Sequence, residues 1–254
     1  KHAWGMSAGV ANNLNAPWAT AAPDYIYSGG NIADPTRVGK TKTRSFALSD
    51  TLSMLDDRLQ LTLGLRHQTI EQISYAYGTG DQTDRYRKSR VTPVAGVLYR
   101  VTPKFSVYAN YIEGLTRGEV APTTANNNPV LNAGQVFAPY RSKQKEIGLK
   151  WEADTLGASA ALFTTDRPTS FVLNQVFGTY GVQRNQGLEL SVYGQPVKGL
   201  RLLGGVTFLD AKLRKTLDGL ADGNTAIGVP KQQLTLSVDW NVPGVSGLAL
   251  NARV

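Results

Sequence analysis

Cysteine is absent from the 254 residues of this chain. Disulfides, thiolate metal ligands and cysteine nucleophiles are therefore excluded together. Histidine is nearly absent too. His2 and His67 lie far apart in the chain with no carboxylate at ligand spacing, so no protein-bound transition metal is expected. No run approaches the roughly 18 consecutive apolar residues that a membrane helix requires. No nucleophile-elbow sequence and no triad order involving histidine is present, so no catalytic residue is nominated and the chain reads as a non-enzyme. The Gly- and Asp-rich stretches at 78–84 and 218–224 lack the ligand positions and bidentate Glu of a calcium loop, and read as turns.

What is present is alternation. Leu59, Leu61, Leu63 and Leu65 stand against Gln60, Thr62, Gly64 and Arg66. Leu234, Leu236, Val238 and Trp240 stand against Gln233, Thr235, Ser237 and Asp239, and Leu248, Leu250 and Ala252 against Ala249, Asn251 and Arg253. Successive side chains of a strand point to opposite faces, so each stretch offers one apolar and one polar surface. A soluble sandwich and a membrane barrel both satisfy this pattern.

Connection lengths separate the two. Asp56-Asp57, Thr102 to Lys104, Asp154 to Gly157, Gln195 to Gly199 and Val242 to Gly247 are tight and rich in turn formers. They recur roughly every 40 to 50 residues, enough for two strands and one long loop. The long connections fall at about 12–40, 75–88, 117–141, 173–182 and 213–228, where Asn, Gly, Pro, Asp and Thr cluster without apolar periodicity. So many long loops sit poorly in a compact soluble domain and well on the outside of an outer-membrane barrel. About eleven strands are expected, an odd number that does not close a bacterial barrel. They run over 2–10, 41–55, 58–74, 89–101, 105–115, 142–153, 158–172, 183–194, 200–213, 229–241 and 248–254. The fold class read from this is all-β, an antiparallel up-and-down transmembrane β-barrel that is incomplete, with residues 1–254 expected to be an internal part of it.

The formal net charge of +8 raises nucleic-acid binding as a possibility. However, the cations are scattered over loops and strand ends, which fits a surface facing anionic lipid head groups or acidic ligands, and no nucleic-acid partner is expected. Trp151, Trp240, Tyr99 and Phe105 lie near short turns, and Tyr111, Phe171 and Tyr180 toward the long loops, the placement two interfacial girdles require. Glu146, Lys150, Glu189, Arg201, Asp239 and Arg253 fall on polar strand faces, tolerable in a wet lumen and costly in a packed sandwich core. Whether they hold another domain or are simply hydrated is left open by the sequence.

Ligand candidates come from the long loops. Trp18, Tyr25, Tyr27, Tyr77, Tyr86, Phe137, Tyr140, Phe177 and Tyr180 offer aromatic faces, and Arg85, Arg87 and Arg141 offer guanidinium groups for anionic oxygens. Ligand contact is expected at Tyr25, Tyr77, Arg85, Tyr86, Arg87, Phe137, Tyr140, Arg141 and Tyr180.

Several short segments bear a family stamp. The run from Tyr140 through Glu146 and Gly148 to Lys150, then 158–163, Asn185 to Leu190 and Gly199 to Ala211, resembles the C-terminal half of TonB-dependent receptors. Upstream, Asn31 to Pro35, Leu61 to Arg66 and Phe105 to Tyr111 resemble the siderophore-receptor branch of that family. The resemblance implies a 22-stranded outer-membrane barrel closed by an N-terminal plug domain, with TonB as the energy-coupling partner through that plug. Plug and terminal strands are expected to lie outside this chain. It also implies a ferric siderophore as transported ligand, with no cofactor bound by the protein itself and outer-membrane lipid around it. A passive porin-like channel and a soluble secreted all-β binding module remain as alternatives.

Overall fold

The computed structural model describes residues 35–245 and 247–254. Ten strands form one sheet. They are β1 (Gly39–Met54), β2 (Leu59–Tyr75), β3 (Gln82–Thr102), β4 (Phe105–Thr116), β7 (Tyr140–Glu152), β8 (Leu156–Leu173), β9 (Val176–Val197), β10 (Leu200–Lys215), β11 (Gln232–Asn241) and β12 (Ala249–Arg253). Two short strands, β5 (Thr124–Ala125) and β6 (Asn128–Pro129), pair with each other in the connection between β4 and β7. In the sheet each strand neighbours the next along the chain, with no Greek-key crossing, and the pairings from β3 to β12 are antiparallel. The expected up-and-down meander is therefore the observed one. The expected strand over 2–10 lies outside the described residues.

The described residues divide into two compact units, 35–40 with Gln72–Arg85, and Thr41–Glu71 with Tyr86–Val254. Within the first, the Tyr75 amide donates to Val38 O at 3.1 Å, and the 76–81 turn closes through the Ala76 amide to Asp81 O at 2.8 Å. Gly78 and Gly80 have φ of 88° and 75°, values a side chain would strain.

The second unit carries most of the sheet, and its register turns the sequence alternation into rows. On one face Val97, Ala109, Ile147, Leu162, Leu188 and Phe208 follow one another across six strands. The next row toward the short turns, Tyr99, Val107, Leu149, Ala160, Leu190, Val206 and Leu234, is equally uncharged. Ile147 is 61 % and Leu162 59 % exposed, so this broad apolar face has no protein cover within the described residues. Apolar area of that extent suits lipid and not water. The aromatic girdle follows at the short-turn end, where Phe105 pairs with Trp151 on the same face.

The opposite face is polar and hydrogen-bonded. Tyr108 donates to Glu146 at 2.7 Å, Gln144 donates to the same carboxylate at 3.1 Å, and Ser159 and Ser191 hydroxyls meet at 2.7 Å across β8 and β9. The Lys150 ammonium stands 5.0 Å from the Tyr108 ring centroid, and Asn251 bonds Asp239. Three glycines here lie beneath aromatic rings in register: Tyr108 over Gly148, Tyr193 over Gly157, and Phe163 over Gly187. A Cβ at Gly148 would sit 2.5 Å from Tyr108 ring atoms. The rings thus fill the space a side chain would take, the cross-strand rescue of glycine seen in curved sheets. Leu203 and Ile112 are apolar exceptions on this face.

Two loop expectations need correction. The long loop expected over 173–182 is a two-residue hairpin: Asn174 and Gln175, with φ of 49° and 61°, join β8 to β9 directly. Both φ values are positive, as the tight primed hairpin turns require. The loop expected over 75–88 shrinks as well, because β3 begins at Gln82. In both places the strands continue past the apolar band, where neither face meets lipid. Backbone pairing persists there without the alternation that reveals a strand in sequence.

Candidate functional site

The long-loop end of the larger unit is built around one buried side chain. Tyr86, on the distal part of β3, is only 2 % exposed. Its hydroxyl accepts from the Gly118 amide at 3.1 Å and donates to the Phe137 carbonyl at 3.2 Å. The 117–139 connection is thereby closed at its base by one phenol. The Arg117 guanidinium lies 5.0 Å from the Tyr86 ring centroid. Nearby, Arg90 donates to Pro139 O at 2.6 Å. Burial pushes the Tyr86 hydroxyl above its usual pKa, outweighing the lowering effects of the Gly118 amide and Arg117. It stays a neutral donor and acceptor throughout the physiological range.

The tip of the same connection is fastened to the β8–β9 hairpin. Asn132 donates to Phe177 O and accepts from the Phe177 amide, both at 2.8 Å, while the Leu131 amide donates to Gln175 O at 2.8 Å. Ala121, Val130 and Phe177 form a buried cluster with Ala125, Phe137 and Val172 packed against it, and Phe137 meets Phe177 edge to face at 5.4 Å. The long connection is therefore a small packed layer with its own core. Beside it opens a cleft of about 250 Å³ with a polar lining that includes Asn126, Asn128, Asn174, Gln175 and Asp218.

The nominated ligand residues are distributed unevenly over this framework. Tyr25, with Trp18 and Tyr27, lies outside the described residues. Tyr77 and Arg85 are exposed in the smaller unit. In the larger unit Arg87 is exposed, and Tyr180 is part-exposed with its ring 5.5 Å from that of Phe171. Arg141 forms an ion pair with Glu113 at 3.3 Å. Tyr86 and Tyr140 are buried, with Tyr140 accepting from Ser170 at 2.8 Å, and Phe137 is half-buried in the loop core. Sequence reasoning named the aromatics and missed the residues that fix them, chiefly Asn132 and Arg90. Turn chemistry around Asn132-Ala133-Gly134 was the only local sign of the first, and nothing local marks the second. No group of three or more metal-binding side chains stands close together among the described residues.

Comparison with known proteins gives a consistent match. Residues 2–253 fit the model of the TonB dependent receptor-like β-barrel. The ferrichrome receptor FcuA of Yersinia enterocolitica is 39 % identical over 256 aligned residues, which cover 100 % of this chain and 34 % of FcuA. The catecholate siderophore receptor Fiu of Escherichia coli K12 is 28 % identical over 276 residues, covering 96 % of this chain and 35 % of Fiu. Among solved structures, BauA, the ferric preacinetobactin receptor of Acinetobacter baumannii, superposes with a TM-score of 0.68 at 39 % identity, over 91 % of this chain and 34 % of BauA. The chain thus spans about a third of the length of the relatives it matches.

Proposed function

This chain belongs to the TonB-dependent receptor family of outer-membrane β-barrels, and on that premise we propose that it forms part of the barrel wall of a receptor for energy-coupled uptake of a ferric siderophore. The observation that carries the reading is the 39 % identity to a ferrichrome receptor across the whole of the chain. The architecture fits it. One sheet face meets lipid, the other is a hydrated polar wall, and the long-loop end holds an ordered cap with a polar cleft. Iron would arrive already chelated, as cargo, so the wall needs neither a metal ligand nor a catalytic group. Coupling to TonB would pass through a plug domain in the lumen, and Glu146, Lys150 and Tyr108 are the polar groups such a plug would meet.

Within this reading, ligand contact falls to accessible long-loop side chains: Arg87 and Tyr180 are the candidates of the larger unit, and Tyr77 and Arg85 are separate candidates in the smaller. Tyr86, Phe137 and Tyr140 act through the loop they hold, and Arg141 through Glu113. The test is titration of the full-length receptor with ferric hydroxamate and ferric catecholate complexes, read by fluorescence quenching. Arg87→Ala combined with Tyr180→Ala should weaken binding roughly five- to a hundredfold, the usual loss for an aromatic or charge-assisted contact. Absence of binding by the wild type, with free passage of small hydrophilic solutes through it in liposomes, would replace the receptor by a passive pore.

A further inference from the structure

Three segments far apart in the sequence line the cleft at the long-loop end of the larger unit. They are the β5–β6 tip at Asn126 and Asn128, the β8–β9 turn at Asn174 and Gln175, and the 3-10 turn Leu217–Gly219 that follows β10. Each is fixed in its own way. Asn126 and Asn127, with φ of 49° and 62°, close the β5–β6 pair as a tight primed turn, and the Asn128 side-chain amide donates to Asn126 O at 3.2 Å. The β8–β9 turn is tied down by the Leu131 amide on Gln175 O. Beyond β10, the Asp222 carboxylate accepts from both the amide and the hydroxyl of Thr216 at 2.8 Å, closing the turn that carries Leu217 and Asp218.

None of these bonds uses the side chains of Asn126, Asn174, Gln175 or Asp218, which are exposed and have no hydrogen-bond partner among the described residues. Gln175 is the informative one. Its φ of 61° puts it at the second position of a primed turn, where glycine is the unstrained residue, and its long side chain adds nothing to the turn itself. The chemistry of the lining is narrow: amide groups that both donate and accept, one carboxylate, and no lysine or arginine. An anionic group finds no cation there and meets the Asp218 carboxylate. A hydroxyl donates and accepts through one atom, so vicinal hydroxyls match neighbouring amides and a carboxylate. Pro129, Val172 and Leu217 add apolar contact for the C–H side of a ring. The volume of about 250 Å³ lies below the roughly 300 to 1,000 Å³ of sites for drug-sized ligands, so one ring fits and a whole ferric chelate does not.

We infer that this cleft binds a neutral hexopyranose unit of a polysaccharide, with Asn126, Asn174, Gln175 and Asp218 as its hydrogen-bonding set. A bound ring spans from the β5–β6 tip and the β8–β9 turn to the connection after β10. The same sugar chemistry is offered by the glycan of the cell's own lipopolysaccharide and by free polysaccharide outside the cell. The inference goes beyond the siderophore reading and needs only that the long-loop end faces the cell exterior.

The experiment uses the full-length receptor in phosphatidylcholine nanodiscs, which contain no sugar, with the methyl glycosides of glucose, galactose and mannose as probes. Binding is read by saturation-transfer difference NMR, and at least one glycoside should bind the wild type. Asn126→Gly with Gln175→Gly removes two amide side chains at turn positions that glycine favours, so the loops keep their geometry while binding weakens roughly fivefold for each amide lost. Hydrogen exchange at the Leu131 and Phe177 amides should stay at wild-type rates in this variant. Titration of the same preparations with ferric chelates should be unaffected, so failure of the siderophore reading is seen separately. Competition by sugar chains cut from the lipopolysaccharide of the producing strain, or by dextran, supports the site and tells the two sources apart. No saturation transfer to any glycoside, equal binding by the double glycine variant, or tighter binding of galacturonate or glucose 6-phosphate than of the neutral glycosides would each overturn the assignment.

Discussion

Removing a single oxygen, Tyr86→Phe, should loosen the whole 117–139 connection without touching the strand ladder. The hydroxyl serves two partners, the Gly118 amide at 3.1 Å and the Phe137 carbonyl at 3.2 Å, and Gly118 is itself buried. An isosteric phenylalanine leaves the ring packing and the Arg117 contact in place, so the loss is confined to two hydrogen bonds. Each buried group left without a partner costs about 1 to 3 kcal/mol, and water entering the opened base recovers some of it. A net local loss of about 2 to 4 kcal/mol follows for the connection. Tyr86→Ala removes the ring as well and should cost more, about 3 to 5 kcal/mol by the usual penalty for emptying a buried aromatic site. The assay is hydrogen exchange of the full-length receptor in nanodiscs. Amides of Gly118, Ala121 and Phe137 should exchange roughly thirty- to a thousandfold faster in Tyr86→Phe, while β7 and β8 amides keep their wild-type rates. The pH dependence has a definite sign. Because the folded-state phenol is pushed above its ordinary value, the folded form holds its proton longer than the unfolded one. The contribution is complete below about pH 10 and declines as pH rises past the folded pKa. Unchanged exchange at Gly118 and Phe137 in Tyr86→Phe would refute the account of Tyr86 as the fastening of this loop.

The face assignment predicts an asymmetry between neighbours: Leu63→Arg or Leu236→Arg should destabilise the intact barrel by about 2 to 4 kcal/mol near the bilayer midplane, and Thr62→Arg or Thr235→Arg far less, as read by reversible unfolding in lipid vesicles. Gly187→Ala should destabilise by about 1 to 3 kcal/mol in the same assay, because a Cβ there would run into the Phe208 carbonyl and lie 3.0 Å from the Phe163 ring. Pairing it with Phe163→Leu relieves only the ring contact, so recovery should be partial. Asn132→Ala should release the loop tip from Phe177 and be detected as faster exchange at the Phe177 amide, with β9 unaffected below Asn185.

Alternation alone determined which side of each strand meets lipid. Leu63, Leu65, Leu234 and Leu250 are apolar and exposed on one face, as their spacing requires, because within a bilayer every second residue must be apolar and no distant contact can alter that demand. The tight turns were equally local. Leu55, Asp56 and Asp57, with φ of 56°, 52° and 61°, close the β1–β2 turn where the sequence placed it, and the short connections between such strands dictate a meander. Tertiary structure decided everything beyond the apolar band. There both faces of a strand are free to be polar, so the distal halves of β3 and β9 carry no periodic signal and are held by backbone pairing to their neighbours. Tyr86 looked in sequence like any other loop aromatic, and so did Phe137 and Tyr140. Their burial depends on partners some 30 to 51 positions away, Gly118, Phe137 and Ser170, brought together only when the loop folds onto the strand ends. A charged row on the outer face is of the same kind, since Glu113, Lys143, Asp166, Arg184 and Lys212 are scattered in sequence and become one row through the register of five strands.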